Sequence, residues 1–119
     1  MSPEKTLNDL PLYNLAKLEK IARGNDAFVE KMIEMFLVEI PRAIVDLRTA
    51  LMSNDFKGMH ATIHKIRPAI ENMEIYRLKE PLRELDKLAL AGSDVKKMDT
   101  LVGVAEQVTA EVVRKLQKT

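Results

Sequence analysis

Between Phe56 and Met73 the apolar residues Phe56, Met59, Ile63, Ile66, Ile70 and Met73 recur at spacings of 3, 4, 3, 4 and 3. That is the period of a single buried face on an α-helix. The same period runs through most of the chain. A short helix is predicted from about Leu15 to Ala22, capped by Asn14 and ended by Arg23-Gly24. A long helix follows Asp26 and buries Phe28, Met32, Met35, Phe36, Ile44, Leu47 and Leu51. Pro41 lies inside it and is expected to kink it, because proline lacks an N–H and crowds the carbonyl of Leu37. The Phe56 helix starts after Asn54-Asp55 and fades near Met73–Ile75. A further helix carries Leu78, Leu82, Leu85 and Leu88 and stops near Ala91-Gly92. Ser93 then caps a last helix whose seam is Val95, Met98, Val102, Ala105, Val112 and Leu116. Short links between long amphipathic helices make neighbours antiparallel. The expected fold is therefore all-α, an antiparallel up-and-down four-helix bundle with a short extra N-terminal helix.

A chain of 119 residues holds one core, so residues 1–119 are read as a single domain with 1–11 as a flexible lead-in. Its 19 Lys+Arg nearly balance its 18 Asp+Glu, and no basic block stands out. That argues against nucleic acid as a partner. The absence of cysteine removes disulfide and thiolate chemistry and fits a reducing compartment. No apolar run approaches the roughly 20 residues that span a bilayer, and no signal peptide precedes the first charges. The expectation is a cytoplasmic domain without direct membrane contact, either a whole protein or the cytosolic part of a longer membrane-bound kinase.

His64 follows Ile63 directly, so it is rotated by about 100° from the buried line. Its ring is expected at the edge of the core, in reach of water. Arg67 and Pro68 follow at i+3 and i+4, on the same side of the helix. An exposed imidazole on a rigid helix, with a fixed cation beside it, suits the acceptance and onward transfer of a phosphoryl group. A phosphoryl group carries close to two negative charges, and the planar fork of Arg67 could hold two of its oxygens. His60 lies one turn earlier but has Ile63 rather than a cation at i+3, and is read as a neighbour that tunes or shields the site. Pro68 presents a low surface beside the imidazole while crowding the carbonyl of His64. Ala61 at i−3 is small in the same way. Glu71 at i+7 lies on the His64 stripe, two turns away, and Lys65 points elsewhere as surface charge.

The run His64-Lys65-Ile66-Arg67-Pro68 resembles His-x-Leu-Lys-Gly, the signature of histidine-containing phosphotransfer (HPt) domains of multistep phosphorelays. The similarity extends upstream. Leu12 to Leu18 and Gly24-Asn25-Asp26 before Phe28 resemble the family's opening segment. Phe36-Leu37, Pro41, Leu47 to Leu51 and Asn54-Asp55-Phe56 resemble its long second helix and the turn that follows. Two residues depart from the pattern: Pro68 replaces the usual glycine, and Glu74 stands where a glycine often follows the histidine helix. The resemblance implies that His64 is the phosphoacceptor, taking its phosphoryl group from a receiver-domain aspartate and passing it to another receiver. It implies Arg67 as the stabilising cation, and His60, Ala61, Lys65, Pro68 and Glu71 as the docking surface. It also implies a monomer with no cofactor of its own, the Mg²⁺ belonging to the receiver. No phosphate-cradling glycine loop or Walker motif is present, so no kinase or ATPase activity is expected. A hybrid sensor kinase in the same polypeptide fits the resemblance.

Two other classes stay open at this level. His60 and His64 have i, i+4 metal-ligand spacing, with Glu71 as a third candidate. An adaptor that keeps the fold and binds receivers without phosphotransfer would share every feature except the chemistry.

Overall fold

The computed structural model describes residues 11–117, and all but Pro11 of the segment read as a lead-in lies outside them. Among the described residues there are five helices and no strand: α1 (Ala16–Ala22), α2 (Asp26–Met52), α3 (Phe56–Asn72), α4 (Tyr76–Ala91) and α5 (Val95–Gln117). α2 packs against α3 and α5, and α4 packs against the same two, so these four helices enclose one core; α1 packs on α2. At the centre Leu47, Met59, Ile63, Leu78, Leu85, Met98, Val102 and Val112 are removed from solvent. Burying such side chains contributes roughly 1.5–3 kcal/mol each.

The helix ends follow from local chemistry. Asp55 caps α3 by accepting from the Gly58 amide at 2.9 Å, and Asn25 caps α2 by accepting from the Phe28 amide at 3.1 Å. Asn14 accepts from the Ala16 amide at 2.9 Å, while its own N–H donates to the Met73 carbonyl and ties the start of α1 to the end of α3. Arg23 and Gly24 end α1 with φ of 53° and 84°. Glu74, at φ 50°, also occupies the left-handed region that glycine enters at no steric cost. The turn after α3 therefore has the shape a glycine would give it.

Three expectations are corrected: the core residues of early α2, the cap of the last helix, and the inward positions at Val95 and Leu88. Phe28 and Met35 are exposed and Met32 is half-buried. With 27 residues α2 is about 40 Å long against about 26 Å for α3, and Met32 and Met35 edge an open groove with Leu18 of α1 and Ala69, Asn72 and Met73 at the end of α3. The core positions of α2 are instead Phe36, Ile40, Ala43, Ile44, Leu47, Ala50 and Leu51. The last helix is capped by Asp94, which accepts from the Lys97 amide at 3.1 Å, rather than by Ser93. Val95 is exposed at the very start of α5, and Leu88 is half-buried, with Ala89 taking the inward position. α2 runs through Pro41 and α3 through Pro68 as continuous helices.

Candidate functional site

His64 stands on the exposed crest of α3, one residue past the buried Ile63. At about 100° per residue, His60 and Arg67 fall about 40° and 60° to one side of it, and Pro68 and Ala61 about 40° and 60° to the other. The neighbouring helices agree with that division. On the first side Ile63, Arg67, Ile70 and Glu71 share a groove of about 280 Å³ with Lys79, Leu82 and Arg83 of α4. On the second side Ala61, Thr62 and Lys65 line a groove with Glu39, Arg42, Ala43 and Asp46 of α2. The α4 flank of His64 is thus ionic, with an apolar floor. The immediate α2 flank carries the small side chains of Ala61 and Pro68, and the groove beyond them is edged by the charged Glu39, Arg42, Asp46 and Lys65.

The two imidazoles lie side by side, with ring centroids 6.2 Å apart and planes inclined by 26°. Arg67 does not fold over His64. Its Nη2 lies 3.6 Å from Oδ2 of Asp86 on α4, in a loose ion pair. The other oxygen of Asp86 lies 2.6 Å from Nδ1 of His60. An ionised carboxylate can only accept, so Nδ1 of His60 carries the proton and Nε2 is the ring's open nitrogen. The side chain of Asp86 is only 12% exposed, whereas those of His60 and Arg67 are each 44% exposed.

Five of the expected site residues, His64, Arg67, Ala61, Lys65 and Pro68, share one exposed surface, with His60 half-buried at its edge. Glu71 is exposed too, and among the described residues it accepts no hydrogen bond from either imidazole. Among the described residues, no three His, Cys, Asp or Glu side chains come together in a way that could hold a metal ion. No helix of the described chain is long and apolar enough to cross a membrane.

Asp86 is the residue that the sequence reading missed. A signal for it existed: Asp86 is four residues after Leu82 and three before Ala89, which places an acid on the apolar line of α4. A carboxylate at such a position needs a partner. His60 and Arg67 on the facing helix supply two.

A model of the Hpt domain family matches residues 31–117 of this chain. Neither the curated proteins nor the solved structures gave a match. The matched span holds α3, α4 and α5 entire and most of α2.

Proposed function

This chain belongs to the Hpt domain family, whose members act as histidine phosphotransfer intermediates between receiver domains, and on that premise we propose that His64 carries the phosphoryl group. The observation that supports this most is the position of His64, exposed on the outer crest of α3 with a cation on one flank and the small side chains of Ala61 and Pro68 on the other. A receiver bearing an aspartyl phosphate docks over this crest and brings its own Mg²⁺. An imidazole nitrogen of His64 attacks phosphorus in line. The new P–N bond forms as the P–O bond to aspartate breaks, and the aspartate leaves as a carboxylate. The reverse sequence on a second receiver returns the imidazole. Arg67 offsets charge on the transferring oxygens, and the rigid helix supplies the positioning that phosphoryl transfer chiefly requires.

The low α2 flank, with Ala61 and Pro68, leaves room for the receiver's active-site rim, and the α4 groove edged by Lys79 and Arg83 offers cations to an acidic partner surface. Pairings along the helices support the antiparallel up-and-down bundle of the family. His60 meets Asp86, Lys97 meets Glu84 at 2.6 Å and Arg77 meets Glu111 at 3.2 Å, so early residues of one helix face late residues of the next. We read residues 1–119 as one domain acting in the cytoplasm, where receivers are found.

His60 is the competing acceptor, since Asp86 fixes its tautomer and leaves Nε2 open. It stands to the α4 side of the crest, with its carboxylate partner repelling an incoming phosphoryl group. Transfer of labelled phosphate from a phosphorylated receiver to wild type, His64→Gln and His60→Gln decides between them. His64→Gln is expected to lose label with its helical content unchanged, while His60→Gln still accepts it. Label on His64→Gln and none on His60→Gln would reverse the assignment.

A further inference from the structure

Asp86 and Thr109 are the buried polar residues among the described ones, and only Asp86 is charged. Removing a carboxylate from water costs several kcal/mol unless partners offset it. Both partners of Asp86 lie on α3, two turns apart, and His64 lies between them in the sequence. A pair that merely joined two helices would need one of these contacts, and neither would have to flank His64. We propose that Asp86 is a positioning residue of the phosphoryl site: it fixes His60 with the Nδ1 proton turned inward and draws Arg67 to the same flank, so that His60 Nε2 and the Arg67 guanidinium both face a phosphoryl group on His64. The inference rests on the His64 reading above.

The geometry allows His60 this second contact. The rings are stacked, with centroids 6.2 Å apart and planes inclined by 26°, so a phosphoryl group on a ring nitrogen of His64 extends along the stack and its tetrahedral oxygens spread out of the ring plane towards His60. The oxygens of a dianionic phosphoryl group only accept, and so does Nε2 of a neutral Nδ1–H imidazole. Contact therefore requires one proton from solvent, held between them. Asp86 from α4 already holds the ring and the phosphoryl group adds further negative charge, which favours its uptake; Arg67 on α3 opposes it, with Lys79 and Arg83 of α4 in the groove that Arg67 lines. From α2, the other neighbour of α3, Glu39, Arg42 and Asp46 face the opposite flank beside Ala61 and Lys65.

The test compares wild type, Asp86→Asn, Asp86→Leu, His60→Gln and His64→Gln. Each is incubated with phosphoramidate, a small donor that releases ammonia as the bond to imidazole forms. Ring-nitrogen NMR near neutral pH should show His60 of the wild type as the Nδ1–H tautomer, with Nε2 taking up a proton once His64 is phosphorylated. In Asp86→Leu the ring should turn to the Nε2–H form that free histidine prefers. Asp86→Leu and His60→Gln should be phosphorylated about tenfold more slowly, the loss expected for one charge-assisted contact. Urea midpoints should hold, because Asp86 is the buried member and the side chains of His60 and Arg67, each 44% exposed, can turn to water once it is gone. Asp86→Asn keeps an acceptor for His60 while losing the charge that holds Arg67, so it should keep the tautomer and slow uptake severalfold. If Asp86→Leu is too unstable to assay, that variant settles the matter alone. A wild-type His60 in the Nε2–H form, or equal uptake in all Asp86 variants at normal stability, would overturn the inference while leaving His64 as acceptor. Uptake by His64→Gln equal to wild type would instead show that the acceptor reading is wrong, and the inference would fall with it.

Discussion

On the proposed reading Arg67 faces two anions in turn. In the free domain its partner is Asp86 at 3.6 Å, beyond hydrogen-bond distance and half open to solvent, a pairing worth about 0.2–1 kcal/mol. A charge-assisted contact to phosphoryl oxygens contributes about 1.5–3 kcal/mol, so a phosphoryl group on His64 would win the guanidinium from Asp86. Arg67→Ala is therefore expected to slow transfer by about tenfold or more. Its urea midpoint should fall by less than the equivalent of about 1 kcal/mol, because His60 still holds Asp86. Arg67→Lys should recover most of the rate, since an ammonium supplies the charge without the fork. Transfer kinetics and urea midpoints for the three proteins check this, and an unchanged rate in Arg67→Ala would remove the cation from the mechanism. His64 and Arg67 were legible because their spacing from the buried isoleucines fixes their side of α3. The link to Asp86 was not, because helical periodicity orders residues along one helix and says little about which residue of the next helix lies opposite. An acid on the apolar line of α4 announced that a partner exists, though not which one.

The start of α3 shows how an element can reverse a general preference. Glycine inside a helix ordinarily costs about 1 kcal/mol relative to alanine. At Gly58, however, a Cβ would overlap the Asp55 carboxylate that accepts from the Gly58 amide and caps the helix. Losing such a cap costs about 0.5–2 kcal/mol. Gly58→Ala should thus lower the urea midpoint instead of raising it. Adding Asp55→Ala should make the glycine replacement favourable again, because the obstructing carboxylate is gone. A Gly58→Ala protein more stable than wild type would show that the side chain can swing away without loss. Helix α2 shows the limit of reading elements from pattern. Phe36, Ile44, Leu47 and Leu51 face the core as their spacing demands. Phe28, Met32 and Met35 continue the apolar pattern but sit at the rim of the core, Met32 and Met35 on an open groove beside Leu18, Ala69, Asn72 and Met73. Periodicity reports a helix and a face. The length over which that face is covered depends on the lengths of its neighbours.

Across the whole molecule, closure of the helix ring depends on α2 meeting α5, helices that are neighbours in space but not in sequence. Arg48 of α2 joins them with both ends of its fork on Glu106, through Nε at 3.2 Å and Nη2 at 2.8 Å, and with Nη1 on Asp99. The hydrogen bond to Glu106 is the chief reason that Arg48 holds its proton more firmly than an ordinary arginine. The same bond pulls the Glu106 carboxyl below its usual range, against a smaller opposing effect of burial. Arg48 stays charged at every pH at which the fold exists, so Glu106 is the partner that titrates. A carboxyl depressed in the folded state adds stability above its unfolded value of about 4.3, and that stability is lost as pH falls through the lower folded value. Glu106 is 42% exposed, so solvent screening limits the contribution to about 0.5–1 kcal/mol. Glu106→Gln should therefore be less stable than wild type at neutral pH by about this amount. The difference should shrink through the acid range and vanish once Glu106 is protonated, because both proteins then carry a neutral side chain beside Arg48. High salt at neutral pH should narrow the same gap, as screening acts on partly exposed pairs. Urea midpoints for the two proteins across pH and salt test this. A gap that persisted unchanged into strong acid would assign the effect to packing of the side chain and remove the Glu106 charge from what joins α2 to α5.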